Sequence, residues 1–117
     1  MATLTPKLSL HIDSDPQLHD PTCDITLAAT AETLGVAEAV TGTIATLLAN
    51  GDYTASYVYL KNLSNTAANK ITITVGAQTL CGLGAQEFAW FPWDGTADIK
   101  TTAVAGTPSI QYALYEA

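Results

Sequence analysis

Hydrophobic and polar residues alternate with period two through much of this chain, the signature of half-buried β-strands. The cleanest case is residues 70–75, where Ile71, Ile73 and Val75 fall on one face and Thr72 and Thr74 on the other. Residues 55–62 (ASYVYLKN) are rich in β-branched and aromatic side chains, which suit a pleated surface. There Tyr57, Tyr59 and Lys61 face one way, Val58 and Leu60 the other. Near the C-terminus, residues 97–104 (ADIKTTAV) and 109–116 (SIQYALYE) read as two further strands around a turn at 105–108, with Ile110, Tyr112 and Leu114 on one face. Towards the N-terminus, Leu8, Leu10 and Ile12 alternate with Ser9 and His11, and residues 24–31 (DITLAATA) alternate Ile25, Leu27 and Ala29 with polar or small partners.

Turn chemistry separates these runs. Residues 49–52 (ANGD), the polar stretch 63–69, Gly76-Ala77 and Asp94-Gly95 all carry the small or polar residues that reverse a chain. Gly76-Ala77 joins 70–75 to Thr79-Leu80-Cys81 as a hairpin. Residues 31–43 are ambiguous: their Ala, Glu and Leu content allows a helical turn, Gly35 and Gly42 interrupt it, and a strand over 39–47 is the expectation. Short strands at regular spacing indicate an all-β fold, an antiparallel β-sandwich or jelly-roll-like single domain of about eight strands. Residues 1–8 lack a core pattern and read as an extended N-terminal arm, leaving 9–117 as the sandwich domain.

The aromatic stretch 86–95 (QEFAWFPWDG) holds both tryptophans and both phenylalanines. Phe88 and Trp90 share one face of a strand and read as core, with Phe91 and Trp93 covering its end. The alternative makes Phe91 or Trp93 an exposed anchor for a partner, since interface hot spots favour tryptophan. Pro92 cannot donate to a ladder, so it ends the strand or marks an edge.

Composition narrows the function. At 117 residues the chain is one domain. Only 13% of it is charged, which suits a sheet protein with little spare solvated surface or a subunit covered by neighbours. The net charge is −7, from eleven acids against Lys7, Lys61, Lys70 and Lys100, with no arginine. Binding nucleic acid requires neutralising phosphates, so that class is set aside, and an anionic membrane surface with it. The first six residues have neither a basic nor an apolar signal region, so synthesis in a cytoplasm is expected.

Candidate chemistry is sparse. The loop at 13–24 (DSDPQLHDPTCD) offers four aspartates, and His11, His19 and Cys23 lie in or beside it, but no zinc spacing or complete calcium loop emerges, so no metal or cofactor is assigned. Cys23 and Cys81 read as free thiols. Asn62-Leu63-Ser64 fits the glycosylation pattern by chance. No P-loop, dinucleotide fingerprint or nucleophile elbow occurs, and no carboxylate pair stands out, so no enzyme is expected.

The segments YVYLKN (57–62), FAWFPWDGTADI (88–99) and IKTTAVAGTPSIQYALYE (99–116) resemble small virion proteins of tailed bacteriophages, especially phages of cyanobacteria and other aquatic bacteria. The resemblance covers residues 43–117 well and the first 42 loosely. It implies a non-enzymatic β-sandwich subunit, a capsid decoration or cement protein on the virion exterior, or else a part of the tail, neck or head fibre. It further implies a homotrimer that clamps the major capsid protein or another virion protein through its arm. The contact residues would then be Leu4, Thr5, Pro6, Leu8 and Leu10, with Phe91 and Trp93 as aromatic anchors. A carbohydrate-binding module is the alternative of another class, resting on Trp90, Trp93, Tyr57 and Tyr59 as stacking platforms.

Overall fold

A computed structural model describes residues 2–4, 7–9, 22–24, 27–29 and 31–116, with side chains from residue 32 onward. Its strands in chain order are β1 (Ala2–Leu4), β2 (Lys7–Ser9), β3 (Thr22–Asp24), β4 (Leu27–Ala29), β5 (Ala31–Glu38) and β6 (Ala45–Leu48). They continue with β7 (Ser56–Asn62), β8 (Ile71–Val75), β9 (Gln78–Leu83), β10 (Phe88–Trp93), β11 (Ile99–Ala103) and β12 (Ser109–Glu116).

Eight of these strands form two antiparallel four-stranded sheets, in the orders β10-β7-β12-β5 and β6-β11-β8-β9. Their inner faces meet in one core. The first sheet contributes Val58, Leu60, Ile110 and Leu114, and the second Leu48, Ile71, Ile73 and Ile99, all buried. This is the expected all-β sandwich. Alternation sets the register: a one-residue slip would turn every one of these side chains to solvent. The remaining strands pair among themselves, β1 with β4 and β2 with β3. The arm expected at 1–8 therefore includes strands laddered to residues 22–29, while the first strand of the sandwich begins at Ala31.

Residues 31–38 are the main departure from the sequence reading. They form a strand along the full length of β12, and the strand expected at 39–47 is confined to Ala45–Leu48. The inward positions of β5 are small (Gly35, Ala37), whereas the larger Leu34 and Val36 point out. The usual apolar-in pattern is inverted there, and cross-strand pairing overrides local helical preference.

Turns fall where expected. Gly51, Gly76 and Gly95 adopt positive φ, and Gly95 also faces the Tyr53 carbonyl closely enough that a Cβ would collide with it. Pro92 lies on β10, an edge strand, as its missing donor requires.

Candidate functional site

The outer faces of the two sheets differ in kind. On the second sheet, β8 and β11 present Thr72, Thr74, Lys100 and Thr102, paired Lys100 with Thr74 and Thr102 with Thr72. Hydroxyls and an ammonium satisfy water, as a solvated sheet face should.

The first sheet presents the opposite chemistry. Residue pairing gives three rows across β10, β7, β12 and β5: Phe88–Lys61–Gln111–Val36, Trp90–Tyr59–Ala113–Leu34, and Pro92–Tyr57–Tyr115–Glu32. Leu34, Val36 and Phe88 are 64%, 60% and 60% exposed. Trp90 stacks on Tyr57, with ring centroids 5.5 Å apart and planes 21° apart, and leans on Tyr115 at 6.3 Å. Tyr59 tilts against Phe88 at 6.2 Å. The rings brace one another, which lowers the cost of holding them at the surface. Beside this aromatic half, the small Ala113 leaves a shallow depression of about 380 Å³ lined by Leu34, Val36, Tyr59, Gln111 and Tyr115.

The inward side of β10 belongs to the core. Trp93 is 5% exposed, donates its indole N–H to the Ala97 carbonyl at 2.9 Å, and packs 6.1 Å from Tyr53. Phe91 is half-buried against the same core. The sequence reading that put Phe88 and Trp90 inside is therefore reversed. Both lie on the outer face shared with Tyr57 and Tyr59, and Ala89, Phe91 and Trp93 turn inward. Phe91 and Trp93, the two candidate anchors, thus occupy the sandwich interior rather than the aromatic outer face. Of the arm candidates, Leu4 pairs with Leu27 and Leu8 with Cys23, and Thr5, Pro6 and Leu10 lie outside the described residues. The sequence carries half of the signal, Tyr57 and Tyr59 opposing Val58 and Leu60, and β10 takes its parity from its pairing with β7.

Other chemistry is local. Asn62 is fully buried, with its amide in three hydrogen bonds, so the glycosylation pattern there is closed in the folded protein. Asp94 accepts from the Thr96 hydroxyl and amide, and these bonds hold its carboxyl below the usual range. Cys81 carries a free thiol, which burial, with a smaller push from Glu87, raises above its ordinary value. Among the described residues no group of three or more His, Cys, Asp or Glu side chains gathers as a metal site. Residues 13–21 of the acidic loop lie outside them.

No known protein-family model matches the chain, and no curated protein sequence is significantly similar to it. The outer face of the first sheet is the largest exposed aromatic surface among the described residues. It can supply broad apolar contact with few charges, the composition of an interface centre.

Proposed function

We propose that this protein is a non-enzymatic structural subunit of a phage virion, a capsid decoration or cement protein that works by contact with the assembled shell. The observation that supports this reading is the unlike dressing of the two sheets: mainly threonine and lysine on one, with an exposed Leu80 on β9, and a centre of tyrosine, tryptophan, phenylalanine, leucine and valine on the other, with Lys61, Gln111 and Glu32 in its outer rows. Monomeric proteins rarely expose contiguous apolar patches beyond a few hundred Å². An aromatic sheet face without charge at its centre suits a dry protein contact, and the acidic remainder of the chain suits an outer surface kept soluble by repulsion. A shell is held by many modest contacts acting together, so one subunit does not need tight binding of its own.

A tail, neck or fibre position would use the same face in a different symmetry. The carbohydrate-binding alternative draws on the same rings, with Lys61 and Gln111 beside them, whereas Leu34 and Val36 favour an apolar protein contact.

Mass spectrometry of purified particles tests the reading. The chain is expected in tailed-phage particles at a fixed ratio to the major capsid protein. Its absence from particles, with the free chain left in the lysate, contradicts it.

A further inference from the structure

We propose that the aromatic face of the first sheet is closed by a second copy of this chain, packed face to face about a two-fold axis parallel to the strands. The inference rests on the contact reading above and names the occupant of that surface before the chain meets the shell.

The argument is self-complementarity read from the register. The face has a tall half, carrying Phe88, Trp90, Tyr57 and Tyr59 on β10 and β7, and a low half on β12 and β5 centred on Ala113. A two-fold axis parallel to the strands lays β10 of one copy over β5 of the other and β7 over β12. Trp90 then meets Leu34, Phe88 meets Val36, and Tyr59 enters the depression above Ala113. A two-fold axis across the strands instead stacks β7 on β7 and β12 on β12. It sets Tyr59 against Tyr59 and leaves the Ala113 depressions facing each other, empty. Sheets packed face to face keep their strands within about 30° of each other, which preserves the central row of contacts.

Charge is compatible with this arrangement. The exposed acids of the face, Glu32 and Glu38, both lie on β5. Under the parallel axis they meet β10, which bears no charge. Lys61 of β7 meets Gln111 of β12, so no two like charges face each other.

Area decides the strength. Four strands about 4.8 Å apart and six to eight residues long span roughly 19 by 24 Å, or roughly 450 Å². Two such faces bury roughly 900 Å², just under the roughly 1,000 Å² of a specific interface and in the range of a weak pair. The pair is therefore a dissociable dimer. This departs from the trimer implied by the resemblance, because a three-fold axis cannot place one face against itself.

The test is molar mass by light scattering over a wide concentration range, on the full chain and on three variants. Wild type is expected to approach twice the 12.2 kDa of one chain as concentration rises and to halve on dilution. Leu34→Lys and Val36→Lys, both at exposed positions, are expected to stay at the single-chain mass with unchanged circular dichroism. Thr72→Lys, on the other sheet, is expected to dimerise like wild type. A wild type that remains a monomer throughout, or runs at three chain masses, overturns the proposal. So does a dimer that survives in both lysine variants, or a monomer whose tryptophan emission shifts on adding an oligosaccharide. None of these results bears on the presence of the chain in particles, so failure of the pairing is separable from failure of the virion reading.

Discussion

The side-chain amide of Asn62 crosses the sandwich to the backbone of Leu83, donating to its carbonyl at 3.0 Å from the last position of β7 to the last position of β9. The same amide nitrogen donates to the Asn69 carbonyl at 2.8 Å, and its oxygen accepts from the Ser64 N–H at 2.9 Å. One fully buried residue thus joins both sheets and fixes the loop at 63–69. Asn62→Ala would take a partner from the buried Leu83 carbonyl and from the half-buried Asn69 carbonyl and Ser64 N–H. A loss of about 1–3 kcal/mol is expected, read as a lower urea midpoint with unchanged slope.

The ring of Tyr112 lies over Gly35 on the neighbouring strand, where any Cβ would collide with it. The glycine is needed for space, not for an unusual backbone angle. Gly35→Ala should cost about 1–3 kcal/mol through overpacking. In a Tyr112→Ala background the same substitution should cost much less, and a double-mutant cycle by chemical denaturation measures the difference.

The two tryptophans should report opposite environments. Trp93→Phe removes the buried indole and its bond to Ala97, leaving the half-exposed Trp90 to give red-shifted emission that acrylamide quenches readily in dilute solution. Trp90→Phe leaves a blue, poorly quenched Trp93. Truncation to alanine should cost about 3–5 kcal/mol at Trp93 and much less at Trp90, whose main loss is its stack on Tyr57.

Asp94 carries a pH signature. Its folded carboxyl is held below the ordinary value by Thr96, so the ionised form favours the folded state. That contribution is present above the unfolded carboxylate range and is lost as pH falls through the lowered folded value. Thr96→Ala should move the Asp94 titration upward, as followed by carboxyl NMR. An unmoved titration would contradict the assignment.

Much of the sandwich was legible in the sequence because alternation and turn chemistry agreed. The strand at 71–75, the hairpin through Gly76 and the C-terminal strand over 109–116 fall where period two and the turn residues put them. Two things were hidden. β5 was obscured because its inward positions are Gly35 and Ala37, so it lacks an apolar-in pattern and exists through pairing with β12. The facing of β10 was hidden because both of its faces are aromatic, and size alone assigns Phe88 and Trp90 to the core as readily as Phe91 and Trp93. Only the partner strand decides: Trp90 pairs with Tyr59 and Phe91 with Val58, so each takes the side its neighbour already holds. The contact face was invisible for the same reason, because it is assembled from four strands that the sequence keeps apart.

The most direct test of that face is hydroxyl-radical footprinting of the chain in purified particles against the same chain free and dilute. The account predicts strong protection of Tyr57, Tyr59 and Trp90 in the particle and no change at Trp93, which is buried in both states. Equal labelling of Tyr57, Tyr59 and Trp90 in the two samples would contradict it.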